Sequence, residues 1–304
     1  MKRDIISAFD MSDDLEEIID LSISLKKRRY DYEPVLRNNI LAMIFEKPST
    51  RTRISLETAI EQLGGHGIYL NPNDMQVGRG ETIADTARVL SGFADFISYR
   101  AFKHSNVLEL ARNSRIPVIN ALDDLEHPVQ IVADFMTVKE NFGKLHGKKL
   151  AYVGDGNNMA NSLIAGASIL GVDISIGSPK GHELNAEIVE KAKKMASGNG
   201  SRIEIFSDPK KAVEGADIVY TDVWVSMGEE SQKAEKEKLF TPYQVNDDLM
   251  SGASKNAIFL HCLPAHRGLE VSASVIDGRQ SRVFEEAENR LHTSKAILLT
   301  LKKG

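Results

Sequence analysis

One cysteine, Cys262, stands alone in 304 residues. An internal disulfide is therefore excluded, and a reducing compartment, the cytoplasm, is expected. Long apolar runs are missing: none approaches the roughly 20 residues that cross a bilayer, so no membrane partner is expected. Met1-Lys-Arg-Asp4 leads into no long apolar segment, and no signal peptide is expected there. Long basic runs are missing as well, and the net charge is −5, which argues against nucleic acid. The most basic stretch, Lys26-Lys-Arg-Arg29, ends an amphipathic helical pattern, where cations complement the helix dipole. Neither a zinc-type Cys/His cluster nor an internal repeat is visible.

What is present is ordinary globular material, 42% hydrophobic and 27% charged. The length suits roughly two domains. In the first half, a helix is expected over 13–30 and strands over 41–45, 67–70, 96–100 and 117–120. Ile83, Ala87 and Leu90 mark another helix, and a third follows over 129–140. A polar, glycine-containing connection, 141–149, holds the expected domain boundary. Beyond it, strands are expected over 150–153, 172–176, 203–206, 218–221 and 257–261. Helices are expected up to Leu170, over 186–195 and over 285–301. Such alternation predicts an α/β chain: two doubly wound parallel-sheet domains, Rossmann-like, linked by helices. Ligands of such sheets bind outside the carboxyl ends of the strands.

At one of those ends lies Phe45-Glu-Lys-Pro-Ser-Thr-Arg-Thr-Arg53. Pro48 stops the strand, Ser49 and Thr50 are good N-cap residues, and Leu56, Ala59, Ile60 and Leu63 have helical spacing. A helix entrance favours an anion, and two hydroxyls with a guanidinium fork complete a phosphate-sized nest. Arg100 ends a second strand. A third segment carries Leu125-Glu-His-Pro-Val-Gln130, with Pro128 suited to a first helical turn. Alone, His127 reads as a helix-capping residue; beside Gln130 and an anion site, both become donors to an oxygen or an amide-like group. The polar loop around Gln76 reads as surface.

In the second half, Gly154-Asp-Gly-Asn-Asn158 imitates a dinucleotide-binding turn. It departs from G-x-G-x-x-G at Met159, which is not small. Asn158 then reads as a neutral polar group at a strand end. Asp222 sits at another strand end, where an anionic group can bind an amine. The charged run 229–238 reads as a solvated flap. Cys262 lies at a strand end beside His261 and His266, in a loop bent by Pro264.

Ser49-Thr-Arg-Thr-Arg53 resembles the carbamoyl-phosphate signature of the transcarbamylases. Asp222-Val-Trp-Val-Ser-Met-Gly228 and His261-Cys-Leu-Pro264 resemble elements of the ornithine branch of that family. The resemblance spans essentially the whole chain; one departure is Val129, where Cys or Thr is common. It implies carbamoyl transfer from carbamoyl phosphate to the side-chain amine of L-ornithine, giving citrulline and phosphate, without metal or cofactor. The direction, arginine biosynthesis or breakdown, stays open.

The resemblance further implies that Ser49, Thr50, Arg51, Thr52, Gln76, Arg100, His127, Pro128, Val129, Gln130, Cys262, Leu263 and Arg290 bind carbamoyl phosphate. Asn158, Asp222, Ser226 and Met227 would hold ornithine. Arg51, His127, Asp222 and Cys262 would be catalytic, with the amine proton assignable to either Asp222 or Cys262. Expected domains are 1–140, joined by a returning helix over 286–304, and 147–285. A homotrimer, or a multiple of trimers, is expected, with Gln76 reaching a neighbouring subunit. Rivals are transfer to another amine (putrescine or an acylated ornithine), a nicotinamide dehydrogenase, and a non-catalytic binding homologue.

Overall fold

A computed structural model describes residues 2–29, 31, 33–77, 80–225 and 230–303. The chain divides into two compact units, Met1–Met136 with Glu288–Gly304, and Thr137–Ala287. Each is built on one parallel sheet.

In the first unit, α1 (Leu15–Lys27) precedes β1 (Ile40–Phe45), α2 (Thr50–Gln62), β2 (His66–Leu70), α3 (Ile83–Leu90), β3 (Phe96–Arg100), α4 (His104–Asn113), β4 (Val118–Leu122) and α5 (Pro128–Phe142). The strand order is β2-β1-β3-β4, all parallel. The chain moves from β1 to one side and then to the other. Right-handed crossovers therefore put helices on both faces, and the order reverses between β1 and β3. Central strands are buried nearly throughout, as parallel strands covered on both faces must be. Ile44, Ile97, Tyr99, Val107, Leu110 and Val118 share one cluster of that core.

The second unit runs β5 (Lys149–Val153), α6 (Asn158–Leu170), β6 (Asp173–Gly177), α7 (Ala186–Asn199), β7 (Ile203–Phe206), α8 (Pro209–Val213), β8 (Ile218–Tyr220), α9 (Lys233–Phe240), α10 (Asp247–Met250), β9 (Ile258–Leu260) and α11 (Ala273–Ile276). Its order is β7-β6-β5-β8-β9, again all parallel, with the reversal between β5 and β8. Helix α12 (Val283–Lys303) carries the chain back to the first unit, as α5 carries it out.

One expectation needs correcting, and one helix was not foreseen. The charged run 229–238 is not simply a solvated flap. Its second half belongs to α9, where Lys236 is buried and its ammonium lies 2.7 Å from Asp155 Oδ2. Hydropathy hides this, because a lysine can enter a core when its charge is met. The helix not foreseen is α4, whose Val107, Leu110 and Ala111 have helical spacing and are buried.

Within the first unit, α12 presents His292, fully buried, with neither ring nitrogen finding a partner among the described residues. Burial, then the charges of Lys295, Lys26 and Arg29, push its pKa down to about 4. The unfolded chain takes up the proton near 6.5 while the folded chain does not, so stability rises with pH between about 4 and 6.5. Acid is expected to cost on the order of 1–3 kcal/mol through this residue. Urea midpoints from pH 7.5 to 4.5 check it: a flatter profile in His292→Asn is expected, and an unaltered slope contradicts it.

Candidate active site

In the first unit the site forms at the strand-order reversal. β1 ends at Phe45, and Ser49 caps α2 by accepting a hydrogen bond from the Thr52 N–H at 3.3 Å. Thr50 is exposed, Arg51 half-buried and Thr52 buried. The first-turn N–H groups of α2 and the positive end of its dipole therefore meet the hydroxyls and the Arg51 guanidinium. Neighbouring β3 ends on buried Arg100.

After β4 the chain turns through Asp123, whose carboxylate accepts from Asn120 Nδ2, the N–H groups of Leu125 and Glu126, and His104 Nδ1. That turn delivers His127 to the entrance of α5, with Pro128 as the first helical residue and Val129 and Gln130 buried behind it. Arg290, on α12, donates through Nη1 to Gln130 Oε1 and through Nη2 to Thr52 Oγ1 at 3.2 Å. Gln130 Nε2 in turn donates to Asp134 Oδ1 at 2.7 Å, which fixes the orientation of its amide. Residues from β1–α2, α5 and α12 are thus joined in one network.

His127 is buried, and its pKa is held well below the usual histidine range. Burial is the main cause, followed by the positive charges of Arg290, Arg100 and Arg51. The ring is therefore neutral at physiological pH, a donor without a charge of its own. That the three arginines all act on one imidazole shows that their charges converge on one place. Gln76 is exposed in the loop after β2 and makes no part of this network.

In the second unit the site again lies at the reversal. β5 leads into Gly154-Asp-Gly-Asn157, where Asn157 caps α6 through Oδ1 and donates Nδ2 to Asp222 Oδ2 at 2.8 Å. Asp222 follows β8, is buried, and its other oxygen accepts from Cys262 Sγ at 3.1 Å. A carboxylate and a thiol thus meet at adjacent strand ends. Asn158, half-buried, opens α6.

His261 accepts the Leu263 N–H on Nδ1 at 2.9 Å, and its Nε2 lies 3.4 Å from Glu270 Oε1. Nδ1 is therefore the acceptor, and the proton sits on Nε2. Leu263, half-buried, adopts φ 57°, a conformation costly for a branched side chain and held here by that hydrogen bond. Asp222, His261 and Cys262 each place one possible metal-ligand atom within 4.8 Å of the others. Two of the three are engaged with each other, Cys262 Sγ donating to Asp222, while His261 faces the Leu263 N–H and Glu270. Ser226 and Met227 lie outside the described residues.

Sequence reasoning missed Asn157, Tyr152 and Lys236. Asn157 was hidden by its neighbour Asn158, although an Asn before a helical run is a good cap. Tyr152 donates to Asp155 O at 2.8 Å, and burial, then Asp222, Asp155 and Cys262, push its phenol well above its usual range. The second glycine of the turn, Gly156, faces the chain itself: a Cβ there would come within 2.4 Å of the Glu183 carbonyl carbon. The close approach that a dinucleotide-binding turn reserves for pyrophosphate is taken by backbone.

A capped helix entrance beside arginines that all act on His127, and a carboxylate paired with a thiol, suit a transferase that moves a group from a phosphorylated donor to an amine. The chain belongs to the aspartate/ornithine carbamoyltransferase family. The carbamoyl-P binding domain of that family matches residues 3–140, and its Asp/Orn binding domain matches 146–301. Ornithine carbamoyltransferase of Picrophilus torridus is 66% identical over 301 residues, covering 99% of each chain. The protein of Thermoplasma volcanium named ornithine carbamoyltransferase, catabolic, is 63% identical over 300 residues, covering 99% of this chain and 98% of its own. Among solved structures, ornithine carbamoyltransferase from Pyrococcus furiosus is 46% identical with a TM-score of 0.94, over 98% of this chain and 96% of that one.

Proposed function

We propose that the chain transfers the carbamoyl group of carbamoyl phosphate to the side-chain amine of L-ornithine, giving L-citrulline and phosphate. The observation that carries this reading is the neutral His127 set among Arg51, Arg100 and Arg290 at the entrance of α5. Ornithine as the amine is supported by the relatives' names and by Asp222 with Cys262, an acid where a dicarboxylate substrate would need cations.

The amine attacks the carbonyl carbon, and negative charge builds on its oxygen. Arg51, Thr52, Arg100 and His127 are the donors assigned to that oxygen, with Gln130 on the carbamoyl amide. The C–O bond to phosphate then breaks, and Ser49, Thr50, Arg51 and Arg290 hold the leaving dianion. Pro128 and Val129 fix the His127 backbone, and Leu263 and Cys262 border the carbamoyl group. A neutral attacking amine is required, though its solution pKa is about 10.4 by analogy with lysine. Asp222 and Cys262 orient it, and one of the two handles its proton: the Asp222 carboxylate directly, or Cys262 after passing its own proton to Asp222; Asn158, Ser226 and Met227 hold the amino-acid end. Arginines supply the positive charge, so the reading calls for no metal or cofactor.

Carbamoyl phosphate is assigned to residues 1–140 with 286–304, and ornithine to 147–285. A homotrimer or multiple of trimers is proposed, with Gln76 serving a neighbouring subunit, and the cytoplasm as location. No helix among the described residues is long and apolar enough to cross a membrane. Forward turnover serves arginine biosynthesis, and the reverse serves its breakdown. The test is stoichiometry: one citrulline per phosphate released, dependent on ornithine. Phosphate release without citrulline contradicts the reading.

A further inference from the structure

His104 opens α4 and has no part in the chemistry above, yet both its backbone and its ring reach the turn that carries His127. Its N–H donates to Asp124 Oδ1 at 2.7 Å, and its Nδ1 lies 2.6 Å from Asp123 Oδ2. Lys103, at the cap position of α4, makes no side-chain cap bond. The turn after β4 therefore caps the helix after β3.

The two oxygens of buried Asp123 have different work. Oδ1 accepts the N–H groups of Leu125 and Glu126, both at 2.8 Å, and shapes the turn. Oδ2 accepts Asn120 Nδ2 at 2.8 Å as well as the His104 ring. The Asp123 N–H closes the turn on the Glu126 carbonyl at 3.0 Å. Glu126, next to His127, is held in turn: its carboxylate accepts the Ser7 hydroxyl at 2.5 Å and the Ala8 N–H at 2.9 Å. A serine would make such a turn with its one oxygen. The second oxygen serves partners outside the turn, and a buried carboxylate is costly unless its charge is met. The imidazole meets it. Its hydrogen bond to Asp123 raises the pKa of His104 against partial burial, and the charges of Asp123, Glu126 and Asp124 add to the rise.

β3 and β4 are neighbours, and the Ala101 N–H donates to the Leu122 carbonyl at 2.9 Å. Arg100 ends the first of these strands, and the second leads to His127. The His104–Asp123 pair clips together two exits that each deliver a site residue.

We propose that His104 and Asp123 are positioning residues for carbamoyl transfer, locking the turn between β4 and α5 and through it the aim of the His127 imidazole. This rests on the carbamoyl-transfer reading and on the donor role it gives His127.

The test is a double-mutant cycle on the full chain, read as citrulline formation with both substrates saturating. A misplacement of about 1 Å can cost on the order of 100-fold in rate, and His104→Leu, which frees one anchor of several, is expected to lower kcat about tenfold. Phosphonoacetamide, in which a methylene replaces the bridging oxygen of carbamoyl phosphate, is expected to bind within about threefold of wild type, since aim matters most where charge develops. His104→Asn keeps an N–H near the place of Nδ1 and is expected to stay within about threefold of wild-type kcat. In a His127→Ala background, His104→Leu is expected to change kcat by less than about twofold, because the group it positions is gone. A merely structural role gives the same loss in both backgrounds, and that result overturns the proposal. Should His104→Leu fail to fold, Asp123→Ser replaces it: the hydroxyl keeps the turn and does not reach His104. The ring itself is read by NMR of protein labelled at histidine Cε1, with the His127 signal assigned from His127→Ala. A single sharp signal in wild type, shifted or broadened in His104→Leu, is expected; an unchanged signal overturns the proposal. Absence of citrulline in the wild type contradicts the carbamoyl-transfer reading, and the NMR comparison then decides on His104 by itself.

Discussion

Arg51→Ala is expected to lower kcat/KM for carbamoyl phosphate by about 100-fold or more while the protein stays folded. The loss follows from position. Arg51 lies in the first turn of α2, and its charge reaches His127. It is assigned both to the oxyanion and to the leaving phosphate, and removing one fixed donor to a developing charge typically has this effect. The fold survives because Arg51 is half-buried and alanine is the best helix former. Arg51→Lys is expected to recover only part of the rate, since a point charge cannot replace a two-pronged donor. Steady-state kinetics beside a urea midpoint separates the two effects. Turnover near wild type in a folded variant contradicts the role.

Asp222→Asn is expected to strike the other substrate. The carboxylate is buried and takes one hydrogen bond on each oxygen, from Asn157 and from Cys262. The amide is nearly the same shape, but it carries no charge and can keep its acceptor toward only one of those donors. Ornithine-dependent kcat/KM is expected to fall about 100-fold, on the scale of losing a charge-assisted contact to the reacting amine. Affinity for phosphonoacetamide should stay at the wild-type level, because the carbamoyl-phosphate residues joined by Arg290 belong to the other unit. Cys262→Ser, which keeps a donor toward Asp222, is expected to lose less. A variant whose ornithine kinetics match wild type removes Asp222 from the mechanism.

Much of the fold was legible in the sequence because parallel strands buried on both faces are short apolar runs. The strands 96–100 and 203–206 fall where their runs do, and Ser49 before the α2 spacing gave that helix its start. Local chemistry also marked Pro128 as a first helical residue. What stayed hidden depends on tertiary partners. Lys236 looks like surface until Asp155 is placed beside it. Asn157 reads as a cap, and its second job on Asp222 appears only when β5 and β8 are adjacent. Sequence spacing gives the faces of elements; it does not say which strand ends are neighbours.

The first measurement to make is initial-rate product formation with carbamoyl phosphate and four amines: ornithine, putrescine, N-acetylornithine and aspartate. Citrulline from ornithine is expected far ahead of every other product. A faster reaction with another amine leaves the residues around Arg51 standing and contradicts the assignment of Asp222 and Cys262. No reaction with any of the four contradicts the central claim that this chain is a carbamoyl-transferring enzyme.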